Sequence, residues 1–107
     1  MQMDVLSLQG LEQILETVHE IKEEYNNELY LLGVLGVLVD SRKQLTHHIL
    51  EHIRNEFGVN IFNNFIRQNV KAAEAPSHGV SVIDYAPKSN SAKDYLSVTN
   101  ELLTILN

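Results

Sequence analysis

The chain has 107 residues, enough for one domain with one modest core. Hydrophobic residues make up 44% and charged residues 21%, which excludes a disordered chain. The absence of cysteine excludes disulfides, thiolate zinc sites and cysteine nucleophiles. The longest apolar run, residues 29–39, is about half as long as a membrane crossing requires, and the first residues show no signal-peptide pattern. We therefore expect a cytoplasmic protein.

The net charge of −6 is concentrated at the start of the chain. Residues 1–28 carry seven acidic side chains and one basic side chain, whereas residues 29–107 carry seven of each. Electrostatic steering depends on local potential, so the acidic total does not exclude a separate basic patch. Binding to nucleic acid therefore stays open.

The first predicted element is an amphipathic helix over residues 6–26. Leucine and isoleucine recur at helical spacing on one face, and glutamates occupy the other. Ser7 is a suitable N-cap, and with that cap Leu6 and Leu11 would form a hydrophobic staple. The acidic face is most simply a solvated surface, and docking of a basic partner segment is the alternative.

Two apolar segments then predict buried strands. Leu29–Val39 shows no alternation, as in a parallel strand covered on both faces, and it ends at Asp40–Ser41, which suit a helix cap. A second helix over residues 43–57 leads to the second predicted strand, Asn60–Ile66.

The last third of the chain predicts a loop, a short extended segment and a helix. Residues 67–79 contain Pro76 and read as a loop or a broken helix. Val80–Tyr85 is predicted to be extended, and a final helix runs from about Ser91 to Leu106. The alternation of strands and helices predicts an α/β fold with right-handed crossovers.

The loops that follow the two predicted strands are the candidate site. In doubly wound sheets, ligands bind beyond the carboxyl ends of the strands. The segments Asp40–Lys43 and Arg67–Gly79 fall there, and they carry four cations: Arg42, Lys43, Arg67 and Lys71.

Three stretches of the sequence carry a resemblance. Ile66–Leu96, IRQNVKAAEAPSHGVSVIDYAPKSNSAKDYL, is similar to the pattern I-P-R-N-V-R-L-S-E-A-P-S-H-G-x-P-V followed by YDPxSxGAxAY. Gly33–Leu45, GVLGVLVDSRKQL, is similar to GVLLTMxDxRxxL, and Gln2–Leu11, QMDVLSLQGL, is similar to QxExxALEGL. These patterns are those of the ParA/Soj-type chromosome and plasmid partitioning ATPases, relatives of MinD. The resemblance covers essentially the whole chain in order.

The resemblance also shows what this sequence does not contain. Family members carry a lysine-bearing, glycine-rich phosphate-binding loop near their N-terminus, and no such pattern occurs here. Gly33 and Gly36 lie in an apolar run and indicate close packing. We therefore expect residues 1–107 to be a single partial domain that begins inside a strand. This domain would be the C-terminal half of a three-layer, doubly wound P-loop NTPase-like fold with a mostly parallel sheet.

The resemblance implies a nucleotide site on the adenine side. The residues expected near adenine and ribose are Asp40, Arg67, Gln68 and Asn69, with the Pro76 turn nearby. Alternatively, Asp40 or Ser41 caps the next helix and Asn69 stabilises a turn. The chain has IRQN where the family has I-P-R-N, which leaves open whether Arg67 or Gln68 contacts the nucleotide.

The resemblance implies a DNA surface as well. Arg42 and Lys71 occupy positions that are basic in the family, which binds double-stranded DNA without sequence preference through the surface of its dimer. Point cations suit phosphate contacts, because these contacts need no base geometry. The alternative is that both are ordinary solvated charges.

A metal site is the weaker interpretation of the histidines. His48 and His52 share one helix face at a spacing that can chelate zinc. No third ligand follows at a recognisable spacing, and the H-E-x-x-H motif is absent. We expect no metal ligand and no catalytic residue in this chain.

Two functions compete. In the first, the chain is the C-terminal portion of a ParA/Soj-like ATPase that uses ATP and Mg²⁺ at full length, forms a homodimer on the nucleoid and responds to a ParB-type activator. This chain alone would not hydrolyse ATP, because nothing in it grips the phosphates. In the second, it is a standalone, non-enzymatic interaction module that self-associates or pairs with a full-length ParA-like chain. Because its strand faces would lack neighbours, we expect the isolated chain to self-associate or to be marginally stable.

Overall fold

The computed structural model describes residues 1–40 and 42–107. Within these residues, five α-helices account for most of the regular structure: α1 (Val5–Glu24), α2 (Gln44–His52), α3 (Val70–Glu74), α4 (Val82–Tyr85) and α5 (Asn90–Leu106). A π-helical turn, Ile53–Phe57, extends α2, and a 3-10 turn, Ala75–His78, extends α3. In the described part of the chain, no helix is both long enough and apolar enough to span a membrane.

Helix α1 begins before the predicted cap. Asp4 is the N-cap, and its carboxylate accepts a 2.7 Å hydrogen bond from the backbone N–H of Ser7. With Asp4 as the N-cap, the residues placed to form a hydrophobic staple are Met3 and Leu8, and both belong to one apolar cluster. Leu6, in contrast, is 80% exposed. The predictions of Ser7 as N-cap and of Leu6 in a staple were wrong, because a carboxylate three residues earlier takes that N–H.

Two short segments pair in parallel where strands were expected. We call residues 34–39 the first paired segment and residues 60–68 the second. They meet at two isolated parallel bridges, Val34 with Ile61 and Val39 with Arg67. Five backbone hydrogen bonds of 2.8–3.2 Å join them, so the two segments end at the same edge.

The regular strands predicted over Leu29–Val39 and Asn60–Ile66 are not found among the described residues. Between the two bridges the first paired segment advances by five residues and the second by six. The extra residue interrupts the ladder, as a bulge does. The freed backbone N–H groups of Asn63 and Asn64 turn to the carboxylate of Glu101 instead, at 2.8 Å each. An apolar pattern does not reveal such an insertion.

Met1 lies on the other side of the first paired segment. Its carbonyl accepts a 2.8 Å hydrogen bond from Val37, and its terminal amine donates to the Leu35 carbonyl. This is the bonding pattern of a parallel pair with Met1 opposite Gly36. Partial burial lowers the pKa of the Met1 amine. A single residue, Met1, therefore bonds the first paired segment on the side away from the second.

The apolar core forms two clusters on opposite sides of the paired segments. The first cluster joins α1 and α2 to them: Met3, Leu11, Val34, Val39, Ile49 and Ile53. The second joins α5 to them: Phe62, Ile66 and Val98. The close packing predicted at Gly33 is confirmed, because a Cβ there would lie 2.6 Å from Cε1 of Phe62.

Leu38 reverses the alternation of side chains at the end of the first paired segment. Val34 packs in the first cluster, and Leu35 and Val37 pack against the second, as a period of two requires. That period would place Val39 in the second cluster, yet Val39 is buried in the first. Leu38, which lies between Val37 and Val39, adopts the left-handed region, with φ 51°. This change of backbone direction returns the Val39 side chain to the side of Val34.

The rest of the chain follows the helix signals more closely than the strand signals. The prediction that Val80–Tyr85 is extended was wrong: Ser81 caps α4, and its Oγ accepts a 3.1 Å hydrogen bond from the N–H of Asp84. Local capping outweighs the β propensity of the three β-branched residues in this segment. The helix predicted over 43–57 and the broken helix within 67–79 are confirmed, and α5 begins within one residue of its predicted start.

Candidate functional site

The loops after the two paired segments meet at one edge of the molecule. The bridge between Val39 and Arg67 sets Asp40 beside Gln68, and the N–H of Gln68 donates to the Val39 carbonyl at 3.2 Å. A pocket of about 460 Å³ opens there, lined by Val39, Asp40, Arg42, Arg67, Gln68 and Asn90. The structure thus brings together three of the five predicted nucleotide contacts and one of the two predicted DNA contacts.

The remaining predicted nucleotide contacts lie elsewhere. Asn69 lines an adjoining pocket of about 460 Å³ that shares Arg67 and Gln68 with the first. Its Oδ1 accepts a 2.8 Å hydrogen bond from the N–H of Lys71 and caps α3, the structural alternative considered from the sequence. Pro76 lines a third, more apolar pocket of about 360 Å³ against α4 and α5. It is not among the residues that line the other two.

Asp40 is held by a neighbouring arginine. Its carboxylate accepts hydrogen bonds from Nε and Nη2 of Arg42 at 3.0 and 3.1 Å, and these bonds lower the pKa of Asp40 to about 2. The Asp40 carbonyl accepts a 2.9 Å bond from Thr46, whereas the N-cap of α2 is Lys43, whose side chain makes no capping bond. The Asp40 carboxylate therefore does not cap α2. The other residue proposed as that cap, Ser41, lies outside the described residues.

Arg67 is anchored to α5. Its backbone N–H donates to Oδ2 of Asp94 at 2.9 Å, and its guanidinium makes three further hydrogen bonds of 2.8–3.2 Å to the same carboxylate. Asp94 is only 9% exposed, and its carboxylate raises the pKa of the Arg67 guanidinium. A two-pronged contact of this kind fixes the guanidinium in one orientation.

A second carboxylate on α5 binds the second paired segment at the place where its pairing with the first is interrupted. Glu101 accepts three hydrogen bonds of 2.8 Å, from the N–H groups of Asn63 and Asn64 and from Nδ2 of Asn64. Burial alone would raise the pKa of Glu101, but the bonds from Asn64 and Asn63 outweigh it and leave the pKa below its usual value. Asp94 and Glu101 are seven residues apart, so they lie two turns apart on one face of α5.

Asp94 and Glu101 were not predicted from the sequence, although one signal for Asp94 was present. Arg67 stands where the family pattern has proline, and Asp94 stands where YDPxSxGAxAY has its second alanine. In the structure, these two residues that differ from the family pattern form an ion pair with each other. For Glu101 the sequence holds no comparable signal, because its partners are backbone N–H groups.

The predicted DNA contact Lys71 belongs to a small surface cluster. Its Nζ lies 3.5 Å from a carboxylate oxygen of Glu74 and 5.9 Å from the centre of the Tyr85 ring. The Tyr85 hydroxyl donates to Glu74 at 3.0 Å, which raises the pKa of Tyr85, and its ring stacks on His78 at 4.6 Å. Lys71 and Arg42, both exposed by more than half, thus each have a carboxylate partner.

The histidine pair stays on the surface of its helix. His48 and His52 are exposed, and the His52 ring packs edge-on against Phe57 at 5.7 Å. Over residues 1–40 and 42–107, no group of three or more histidine, aspartate or glutamate side chains is placed to hold a metal ion.

Comparison with known proteins identifies the class to which this fold and pocket belong. The domain family described as the CobQ/CobB/MinD/ParA nucleotide binding domain matches residues 3–94, and the chain belongs to this family. Membership indicates the α/β class.

Within that family the chain is similar to the partitioning proteins. It is 35% identical over 101 residues to the sporulation initiation inhibitor protein Soj of Bacillus subtilis, and the alignment covers 94% of this chain and 40% of the relative. It is 32% identical over 103 residues to the chromosome partitioning protein ParA of Myxococcus xanthus, with coverage of 96% and 36%. It is 33% identical over 102 residues to the chromosome-partitioning ATPase Soj of Thermus thermophilus, with coverage of 95% and 41%. The chain spans about two fifths of the length of these relatives.

Proposed function

We propose that this chain forms the adenine-side part of the nucleotide site of a ParA/Soj-type ATPase for chromosome or plasmid partitioning. The observation that carries the proposal is the bridge between Val39 and Arg67, which opens both loops on one edge and creates a shared pocket. Ligands of doubly wound folds bind at such an edge. In this proposal Asp40, Arg67, Gln68 and Asn69 surround the base and ribose, and Pro76 lies further out.

The proposed fold is the C-terminal portion of a three-layer domain with a mostly parallel sheet. Two observations support it. The first paired segment bonds the second segment on one side and Met1 on the other, and the apolar clusters place α1 and α2 on one side of the paired segments and α5 on the other. This is the layering of helices on both faces of a sheet.

Phosphate binding and hydrolysis are proposed to need residues that this sequence does not contain. Catalysis of phosphoryl transfer requires backbone amides and a lysine around the phosphates, together with Mg²⁺. The sequence has no glycine-rich loop with that lysine. We therefore expect ATP and Mg²⁺ to act in the full-length protein and this chain alone to show no ATPase activity.

The proposed activity extends to DNA and to protein partners. Arg42 and Lys71 would contact double-stranded DNA without sequence preference, on a homodimer located in the cytoplasm at the nucleoid, and a ParB-type protein would activate hydrolysis. Both cations are exposed, which phosphate contacts require. Their carboxylate partners, Asp40 and Glu74, would have to release them or share them.

A titration of the isotope-labelled chain followed by NMR tests the nucleotide site. We expect adenosine to shift the amide signals of residues 40 and 67–69 and to leave those of α1 unchanged. Adenosine and ATP should bind with similar, weak affinity, because nothing here grips the phosphates. No shifts at these residues, or shifts that centre on another surface, would contradict the proposal.

A non-enzymatic interaction module remains the second candidate, and one observation favours it. The chain exposes 7574 Å² of surface. A folded monomer of its mass is expected to expose only about 6,000 Å². Binding to another ParA-like chain or to a second copy would cover part of the difference. If the chain showed no shifts with adenosine but formed a stable dimer in sedimentation experiments, this second function would replace the first.

A further inference from the structure

Helix α5 has a second apolar side that the fold does not use. Val98, on its first apolar side, is buried in the second cluster. Leu96, Leu103 and Leu106 are 48%, 52% and 58% exposed. Together with the exposed Thr99, they follow one another at steps of three, four and three residues, which aligns side chains along one side of a helix. We call these four residues the outer stripe.

The surface around the outer stripe carries almost no charge. Residues 95–107 contain one charged side chain, Glu101, and its carboxylate is already bound by Asn63 and Asn64. Helix α1, in contrast, exposes glutamates along most of its length. Helix faces that meet water ordinarily carry charged side chains, whereas the centres of protein interfaces are depleted of them. The outer stripe therefore has the composition of a surface that another protein covers.

Charge and surface area both favour a second copy of this chain as that protein. A basic partner would be attracted to the glutamates of α1, not to α5. Two copies with a net charge of −6 repel each other, so they approach most easily where neither presents a free charge. The chain exposes 7574 Å², about 1,600 Å² more than a folded monomer of its mass, and a stable interface covers about 800 Å² on each partner.

We propose that two copies of this chain pair through their outer stripes, with the two α5 helices antiparallel about a two-fold axis. In this register Leu96 of one copy lies opposite Leu106 of the other, and Thr99 lies opposite Leu103, so that each pair contains a leucine. Thr99 tolerates this burial, because its hydroxyl already donates to the Tyr95 carbonyl at 2.7 Å.

The proposed interface lies away from the proposed nucleotide site. Asn90, at the first turn of α5, lines the pocket at the edge of the paired segments. Leu103 lies thirteen residues further along the same helix, which is about 20 Å at 1.5 Å per residue. The inference therefore goes beyond nucleotide binding, and it shares with the second candidate function only the association of two copies.

Sedimentation equilibrium of the wild-type chain and three variants tests the surface. Leu103→Glu should weaken the dimer at least about tenfold, because it sets a carboxylate against apolar side chains of the other copy. Ile14→Glu, at a 59% exposed isoleucine of α1, is the matched control and should leave the dimer unchanged. Thr99→Leu should strengthen the dimer about tenfold, a gain that loss of folding cannot produce.

Disulfide trapping tests the antiparallel register. The chain has no cysteine, so an introduced pair has no competing thiol. Under oxidising conditions a mixture of Leu96→Cys and Leu106→Cys chains should form a disulfide between unlike variants, and neither variant alone should form one efficiently, because the two positions are far apart in the same register. Efficient trapping within each single variant would indicate parallel helices and overturn the proposed register.

The remaining outcomes separate this inference from the nucleotide site. A wild-type chain that stays monomeric at every concentration would overturn the inference, while the adenosine titration still decides the proposed function. A dimer weakened by Ile14→Glu and not by Leu103→Glu would show that the copies meet at α1, which also overturns it. If circular dichroism shows that Leu103→Glu is unfolded, Thr99→Leu decides, and no gain in dimer affinity there counts against the outer stripe.

Discussion

At the scale of single residues, the two arginines of the pocket are held in different ways. Arg42 pairs with a carboxylate two residues away and is 90% exposed. Such a contact contributes little to stability, because the Arg42 guanidinium is well solvated. Arg67 pairs with Asp94, 27 residues along the chain and mostly buried. This second pair connects separate elements, so its loss should affect the whole fold.

Replacing Asp94 by alanine should lower the free energy of unfolding by about 2 kcal/mol, because the change leaves the guanidinium and a backbone N–H of Arg67 without their acceptor. Urea denaturation followed by circular dichroism measures this. The control Asp84→Ala alters an exposed aspartate of α4 and should change stability by less than about 0.5 kcal/mol. Equal effects of the two substitutions would show that the Arg67–Asp94 contact does not support the fold.

The Asp40–Arg42 pair should be visible in a pH titration. Arg42 lowers the pKa of Asp40 from 3.8 to about 2, so the carboxylate should stay ionised until the pH falls through about 2. The stabilisation from this pair is therefore complete above the ordinary pKa and is lost at lower pH. In Arg42→Gln the NMR midpoint should rise toward 3.8. The same midpoint in both proteins would show that the pair does not form in solution.

At the scale of elements, α5 fastens the second paired segment at two points. Asp94 and Glu101 each bind backbone N–H groups of that segment, and Val98 is buried between them. The helix therefore does more than cover an apolar surface: it supplies acceptors for three backbone N–H groups that make no bond to the first paired segment.

Glu101→Gln should speed hydrogen exchange at the amides of Asn63 and Asn64 and lower the unfolding free energy by about 1 kcal/mol, because an amide offers one acceptor oxygen where the carboxylate offers two. In the wild-type chain, the stabilisation that Glu101 provides should be lost as the pH falls below the ordinary pKa of glutamate, since the pKa of Glu101 is lowered in the fold. Glu16→Gln on the exposed face of α1 provides the matched control. Unchanged exchange at both asparagines would contradict the assigned role.

The sequence predicted helices better than strands for a physical reason. A helix satisfies its own hydrogen bonds, so periodicity and caps locate it, as they did for α2 and α5. Pairing between strands depends on register, and the extra residue between Ile61 and Arg67 leaves no mark in the apolar pattern. The pocket itself was predictable as the meeting of two loops. The partner that fixes Arg67 was not predicted, because it is distant in sequence and only the paired departures of Arg67 and Asp94 from the family pattern point to it.

At the scale of the whole molecule, the chain is less compact than its length allows. Its radius of gyration is 15.6 Å, whereas a compact domain of this length has about 13 Å. Large apolar side chains are exposed on α1 and α5, among them Leu6 at 80% and Leu106 at 58%. The two apolar clusters are small and lie apart, so a single continuous core is not formed.

We therefore expect the purified chain to associate with itself in a concentration-dependent way or to unfold at low temperature over a broad range, because association covers exposed apolar surface. Sedimentation velocity over a hundredfold range of concentration, together with thermal melting, measures both. A monodisperse monomer that melts in one sharp transition would contradict the expectation. It would also weaken the case for an interaction module.

The left-handed backbone of Leu38 has one more consequence, for the neighbours on its C-terminal side. Because that single residue resets which way the next side chains point, Val39 can close the apolar interior while Asp40, one position later, opens to the pocket at the chain's surface. An all-extended path would have turned Val39 toward the second cluster and Asp40 toward the first, which would set a carboxylate against apolar side chains. The backbone conformation of Leu38 thus allows a buried valine to be followed directly by an aspartate that lines a surface pocket.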